Sequence, residues 1–176
     1  MPRATIVTFG SRGRRGRQWL LDSFCISDVL DALAYPANRH LNVSVDRCHG
    51  DGTKDECKRL LLAYPGVNEI IAALCANIES NYCLLAGLHF GYFIQCTAGV
   101  SRSVALAQLV AEYLVASNRG WEVFTVHLDA KTSYAQGFTF SGIDTIENLG
   151  EDDYEEIVEI PITNTIQQAR TILNSV

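Results

Sequence analysis

Two kinds of apolar pattern alternate along the chain. An apolar run over residues 88–94 predicts a buried strand, segments of strand-favouring residues over residues 5–9 and 122–128 predict two more, and a mixed segment over residues 23–29 predicts another. Apolar residues at every third or fourth position predict amphipathic helices over residues 67–78 and 104–114. Strands that alternate with helices are typical of α/β proteins. The sequence therefore predicts an α/β fold with a small, mainly parallel sheet flanked by helices.

Local signals predict where these elements begin and end. Residues 10–17 are rich in glycine and arginine and predict a flexible basic loop, and residues 35–38 predict a turn. Thr53 and Glu56 have the spacing of a capping box, which predicts a short helix ending near Tyr64, before Pro65 and Gly66. Residues 118–120 are expected to end the second long helix.

The charge changes along the chain. Residues 1–60 hold ten basic and seven acidic side chains, whereas residues 132–176 hold one basic and eight acidic side chains, and the whole chain has a net charge of −6. This distribution argues against a uniformly basic nucleic-acid-binding protein. A further strand is predicted over residues 155–162 and a helix over residues 163–173. We therefore predict a core domain of residues 1–129 followed by an acidic C-terminal strand–helix extension of residues 130–176.

The pattern of cysteines and apolar segments predicts a cytoplasmic protein. The six cysteines include no Cys-x-x-Cys pair, which favours reduced thiols and a cytoplasmic protein. No window is apolar enough to span a membrane, and five arginines in the first 17 residues argue against a signal peptide. We expect no membrane association.

Residues 95–103 form the most informative motif, because they connect a predicted buried strand to a predicted helix. A strand that turns into a helix leaves backbone N–H groups facing one concavity, where the helix dipole adds positive potential. Small residues allow an anion to approach the backbone, a serine can cap the helix, and an arginine can bind a phosphate with two hydrogen bonds. The alternative is an ordinary turn in which Arg102 is solvated and Cys96 is a small buried hydrophobe. The candidate phosphate-binding residues are Thr97, Ala98, Gly99, Val100, Ser101, Arg102 and Ser103.

The spacing of Cys96, Arg102 and Ser103 resembles the nucleophile loop of cysteine-dependent, dual-specificity phosphatases. That resemblance implies a thiolate nucleophile at Cys96 and phosphoryl stabilisation by Arg102. The residue before the cysteine is Gln95, where these enzymes usually carry histidine, and residues 56–95 contain no aspartate to act as a general acid. Phosphatase activity is therefore the alternative prediction, and we expect that the protein is not an efficient enzyme.

A second resemblance covers about residues 4–129. The segment from Thr8 to Gly10 before a basic loop, the turn at residues 36–38, the loop at residues 49–51 and the motif at residues 96–104 are similar to the C-terminal domain of the RapZ family of RNase adaptors. A closing strand that ends at His127 completes the match. The family's P-loop ATPase-like domain has no counterpart in this sequence, and nucleotide hydrolysis is not implied.

The RapZ resemblance implies a sensor or adaptor domain that binds a phosphorylated small molecule, either an amino-sugar phosphate or a nucleotide-like compound. It implies a phosphate in the loop from Thr97 to Arg102, with ligand contacts from Asp31, Asn38 and His49. It also implies homo-oligomers and RNA binding. We add His127 as a residue that could reach the site, and we expect no cofactor.

The basic loop is the candidate RNA contact, and the net acidity of the chain predicts that this contact is weak. The candidate arginines are Arg12, Arg14, Arg15 and Arg17. Cys48, His49 and Cys57 carry side chains that can bind a metal, but their spacing matches no common zinc site and we predict no metal.

Overall fold

A computed structural model of the chain describes residues 1–12, 15–24, 34–43, 51–84, 90–117, 119–130, 134–139 and 141–147. These residues form an α/β fold with one mixed six-stranded sheet. The strands are β1 (Arg3–Gly10), β2 (Tyr35–Pro36), β3 (Phe90–Cys96), β4 (Glu122–His127), β5 (Tyr134–Thr139) and β6 (Gly142–Glu147). Their order across the sheet is β2-β3-β1-β4-β5-β6.

Strand β1 lies inside the sheet because its side chains are apolar or small on both faces. Residues 4–10 are all buried. β1 pairs in parallel with β3 on one side and with β4 on the other, and β2 pairs in parallel with β3. Four parallel strands therefore end at the same edge, which is where ligands bind in sheets of this kind.

Helices cover both faces of the sheet. The helices are α1 (Arg15–Phe24), α2 (Ala37–His40), α3 (Asp55–Leu62), α4 (Val67–Leu84) and α5 (Arg102–Ala116). The main core lies between the sheet and helices α3, α4 and α5, where Ile6, Ile94 and Leu106 are fully buried. Because α5 packs against α3, α4 and the central strands, even its polar Gln108 is buried.

The mainly parallel sheet is confirmed, and several local predictions are wrong. A helix, α1, begins at Arg15 inside the predicted flexible loop and continues through residues 23 and 24 of a predicted strand. Leu20 is buried, and Gly16 N–H donates to the Asp129 carboxylate at 2.9 Å. These non-local contacts outweigh the low helix propensity of glycine. The rest of that predicted strand lies outside the described residues.

The predicted capping box does not form. The hydroxyl and the N–H of Thr53 both donate to Asp51 Oδ1, at 2.6 and 3.0 Å, so Thr53 does not cap a helix. The N-cap of helix α3 lies one residue later than predicted, at Lys54, and it makes no side-chain cap hydrogen bond. The predicted turn at residues 35–38 instead begins with the two-residue strand β2 and continues into α2.

Beyond residue 130, the polypeptide continues the same sheet. Strand β5 pairs antiparallel with β4, and β6 pairs antiparallel with β5. Ala135 and Phe138 of β5 are buried. The strand predicted over residues 155–162 and the helix predicted over residues 163–173 lie outside the described residues.

In the described part of the chain, no single helix is long and apolar enough to cross a membrane. Helices α3 and α4 reach the length and apolar composition of a membrane span only when taken together, and the chain bends by 102° between them.

Candidate ligand-binding site

The loop of residues 97–101, which follows β3, is attached to the end of β1. Pairing continues past the two strands, since Ser11 N–H donates to the Cys96 carbonyl at 2.8 Å and Arg12 N–H donates to the Thr97 carbonyl at 3.1 Å. Gly99 has φ +78°, and a Cβ atom at this position would lie 2.4 Å from the backbone nitrogen of Gly10. Only glycine fits both this backbone conformation and this close approach.

The thiol of Cys96 lies inside the loop. Its Sγ accepts the Gly99 N–H at 3.2 Å and lies 3.2 Å from the Ser103 hydroxyl oxygen. Cys96 is only 3% exposed. Ser101 occupies the N-cap of α5 without making a side-chain cap hydrogen bond. The first amides of this 15-residue helix therefore lack the usual side-chain acceptor, so an anion could take its place.

Arg102 connects the loop to the segment after α2. Its guanidinium donates to the Leu41 carbonyl at 3.3 Å, and the side chain is half-buried. Because one of its donors is used in this way, Arg102 helps to hold residues 37–41 beside the loop.

A cavity of about 350 Å³ lies on the other side of β3. Adjacent residues of a strand point to opposite faces, so Gln95 and Cys96 face away from each other. The cavity combines residues from the end of β1, from α1, from β2 and α2, and from β3. Its described lining consists of Ser11, Arg17, Pro36, Asn38, Arg39 and Gln95.

The charge and polarity of this cavity suit an anionic ligand. Its described lining contains two arginines and no acidic residue. Ser11 and Asn38 add hydrogen-bonding groups, and Gln95 is buried with 7% exposure. Convergent polar groups in a pocket of several hundred cubic ångströms are typical of small-molecule sites.

Asp129 connects three segments at this edge of the sheet, and it was not among the predicted site residues. Its Oδ2 accepts the Gly10 N–H and its Oδ1 accepts the Gly16 N–H, both at 2.9 Å. A Cβ atom on Gly99 would also lie 2.9 Å from the Asp129 Cβ. An acidic residue just after a predicted parallel strand was the signal that could have indicated this role.

Gly52 connects the segment before α3 to the loop. Its N–H donates to the Val100 carbonyl at 2.8 Å, and a Cβ atom on Gly52 would lie 2.2 Å from the Ser101 carbonyl oxygen. The adjacent Asp51 is held by its two hydrogen bonds with Thr53. Residues from the segment before α3 therefore support the outer side of the loop.

His127 lies inside the sheet, near its carboxyl edge. Its Nδ1 is 2.8 Å from the hydroxyl of Thr8, the residue opposite it on β1. Complete burial lowers the pKa of His127 to about 3, although the negative charge of Asp51 acts in the opposite direction. His127 is therefore neutral near pH 7. Its position supports a structural contact between β1 and β4.

The predicted site residues fall into distinct places. Asn38 and Arg17 line the cavity, whereas Arg12 and Arg15 are exposed on the surface. Asp31, His49 and Arg14 lie outside the described residues.

Within the described ranges, no group of three His, Cys, Asp or Glu side chains could hold a metal ion. Of the predicted metal ligands, Cys57 is buried, while Cys48 and His49 are not described.

No family model matches the chain, and no curated protein or solved structure matches it either.

Proposed function

We propose that the protein is a binding module for a phosphorylated small molecule, held in the cavity between α1, α2 and β3 and by the adjoining loop. The observation that carries this proposal is the cavity itself, whose described lining includes Arg17 and Arg39 together with Ser11 and Asn38. Guanidinium groups bind phosphate through charge-assisted, often bidentate hydrogen bonds.

The loop adds a second source of positive potential. The N-terminus of α5 has no side-chain cap, and the helix dipole points its positive end toward the loop. Ser11 and Gln95 both line the cavity. The Ser11 N–H donates to the Cys96 carbonyl, and Gln95 precedes Cys96 in the chain. The loop and the cavity therefore adjoin along the chain at the carboxyl edge of the sheet.

The RapZ resemblance supports an amino-sugar phosphate or a nucleotide-like compound as the ligand, and a sensor or adaptor role in the cytoplasm. Asn38, one of the residues that the resemblance implicates in ligand binding, lines the cavity. Homo-oligomer formation and weak RNA binding belong to the same proposal.

Isothermal titration calorimetry with a panel of sugar phosphates and nucleotides tests this proposal. Replacing Arg39 or Arg17 with alanine should weaken binding by about tenfold to a hundredfold, because each removes a hydrogen bond to a charged group. Arg15→Ala is the matched control, since Arg15 is exposed on the same helix as Arg17 and does not line the cavity. Absence of binding across the panel, or equal losses in Arg15→Ala and Arg39→Ala, would contradict the proposal.

A cysteine-dependent phosphatase is the second candidate, and one observation favours it. The Cys96 Sγ lies 3.2 Å from both the Gly99 nitrogen and the Ser103 hydroxyl oxygen, so the thiol faces into the loop that resembles a phosphatase nucleophile loop. However, both oxygens of Asp129 bind backbone amides, and Asp51 Oδ1 binds Thr53. These engaged carboxylates do not suit the role of a general acid.

An aryl phosphate with a good leaving group provides the appropriate assay, because it needs little acid assistance. We expect no turnover above that of a Cys96→Ser variant, with Cys83→Ser as a control for an exposed thiol. Turnover that is lost only in Cys96→Ser, with a trapped phosphocysteine, would assign the protein to the phosphatases.

A further inference from the structure

Helix α2 carries two residues of the cavity and is too short to be stable by itself. It consists of the four residues Ala37–His40, and both Asn38 and Arg39 line the cavity. The Leu41 N–H donates to the Ala37 carbonyl at 2.8 Å and closes the last turn of this helix. Since isolated helices shorter than about 12 residues are marginal in water, the positions of Asn38 and Arg39 depend on what holds α2 against the rest of the protein.

The two ends of α2 are attached in different ways. Before the helix, Tyr35 and Pro36 pair with β3, so the chain enters α2 directly from the sheet. After the helix, the Leu41 carbonyl accepts a hydrogen bond from the Arg102 guanidinium at 3.3 Å. The last carbonyls of a helix lack partners within it and carry the negative end of its dipole, so an arginine stabilises them. Arg102 therefore anchors the C-terminal end of α2.

Arg102 can act as an anchor because it belongs to a well-packed helix. It is the first residue of α5, in which Val104, Ala105 and Leu106 are fully buried. A cation in the first turn of a helix is unfavourable for the dipole of that helix. Its hydrogen bond at the C-terminal end of α2, where a cation is favourable, gives this placement a physical reason. The half-buried Arg102 side chain thus connects α2 to the core.

We infer that Arg102 is a positioning residue for the cavity, which sets the affinity for the ligand by holding α2, and with it Asn38 and Arg39, in the cavity wall. This inference rests on the proposed function and identifies a residue that prepares its site. The role requires no contact between Arg102 and the ligand. Binding groups that are held in place before the ligand arrives lose less conformational freedom on binding, so the ligand binds more tightly.

Three replacements of Arg102 separate its hydrogen bond from the fold. Arg102→Met removes every donor, Arg102→Gln removes the charge and shortens the side chain, and Arg102→Lys keeps a cationic donor. Arg59→Met is the matched control. The exposed Arg59 also donates to a backbone carbonyl, that of Asp55 at 3.4 Å, but this contact lies within α3. Thermal unfolding shows which variants are folded.

Amide hydrogen exchange of Leu41 in the ligand-free protein measures how firmly α2 is held, because this N–H closes its last turn. Arg102→Met and Arg102→Gln should raise the exchange rate by about tenfold, the loss expected for one hydrogen bond from a charged group. Arg102→Lys should raise it less, and Arg59→Met should leave it unchanged. The amides of β1, inside the sheet, should exchange as in the parent, which would show that the change is local.

Calorimetry with sorbitol 6-phosphate relates the position of α2 to affinity. Arg102→Met and Arg102→Gln should weaken binding by about tenfold, and Arg102→Lys should weaken it less. In an Arg39→Ala background the same replacements should cost no more than about threefold, because one of the two residues that Arg102 positions is already absent. A direct contact between Arg102 and the ligand would instead cause the same loss in both backgrounds.

An unchanged Leu41 exchange rate in a folded Arg102→Met or Arg102→Gln variant would overturn the inference. Equal losses of affinity with and without Arg39 would overturn it as well. Failure of both variants to fold would also do so, because Arg102 would then support the whole fold and not α2 alone. In these three cases binding of sorbitol 6-phosphate by the parent would leave the proposed function standing. Absence of that binding would contradict the proposed function for this class of ligand, and the inference with it.

Discussion

The Asp129 carboxylate accepts the backbone N–H of Gly10 at 2.9 Å, across 119 positions of the sequence. Its other oxygen accepts the N–H of Gly16 at the same distance. The end of β1 and the first turn of α1 are therefore held by one side chain that follows β4. Because Gly99 packs against both Gly10 and Asp129, this arrangement also fixes the position of the loop.

Replacing Asp129 with alanine should lower the free energy of unfolding by about 2–4 kcal/mol, because two part-buried amides lose a charged acceptor. Asp129→Asn retains one acceptor oxygen and should cost less. Urea denaturation measures both effects, with Asp144→Asn on the exposed strand β6 as the control. If Asp129→Ala and Asp144→Asn have the same stability, Asp129 does not hold these segments together.

Gly99→Ala should destabilise the protein far more than Gly120→Ala. Both glycines have positive φ, +78° and +69°, and alanine in that region costs about 1 kcal/mol or more. At Gly99 the added Cβ would also lie 2.4 Å from the Gly10 nitrogen, whereas Gly120 has nothing within 4 Å. Thermal unfolding of the two variants compares them directly, and equal losses would show that the loop does not pack on β1.

Acidification should destabilise the protein through His127. Burial lowers the folded-state pKa to about 3, against about 6.5 in an unfolded chain. Between these values the unfolded state binds a proton that the folded state does not, so this contribution to stability is complete above pH 6.5 and decreases as the pH falls toward 3. From pH 7.5 to pH 5 the expected loss is about 2 kcal/mol.

Urea denaturation of the parent and of His127→Gln at both pH values isolates this contribution. The variant should lose about 2 kcal/mol less than the parent, since other titrating groups are common to both. The same loss in both proteins would show that His127 becomes protonated without unfolding the structure.

RNA binding should depend on the arginines of residues 12–17, of which Arg12 and Arg15 are exposed and do not line the cavity. Four arginines that neutralise four phosphates of a single strand predict a log–log salt slope near −3. Replacing Arg12, Arg14 and Arg15 with alanine should reduce the slope by about 2 and leave small-molecule binding unchanged, because Arg17 remains in the cavity. Tight binding that survives these replacements at high salt would show that RNA binds elsewhere.

The elements that were predicted well carry strong local signals. Strands β1, β3 and β4 are rich in β-branched, aromatic and other apolar residues, and helices α4 and α5 have regular apolar spacing. Their burial in the sheet and in the core follows from these patterns.

The parts that were missed depend on residues far apart in the sequence. Helix α1 begins where Asp129 accepts a glycine amide, a contact that spans 113 positions. Thr53 has a capping-box partner at Glu56, but Asp51 binds its hydroxyl instead. The cavity joins residues of five elements or their ends, so no local motif could indicate it.

Amide chemical-shift perturbation in ¹H–¹⁵N spectra, with sorbitol 6-phosphate as the titrant, tests the central claim most directly. A ligand in the proposed site should cause saturable shifts for the backbone amides of residues 97–103 and for Ser11, Asn38 and the side-chain amide of Gln95. The exposed strand β6 should show none. Saturable shifts confined to residues outside the loop and the cavity, or no saturable shift at all, would contradict it.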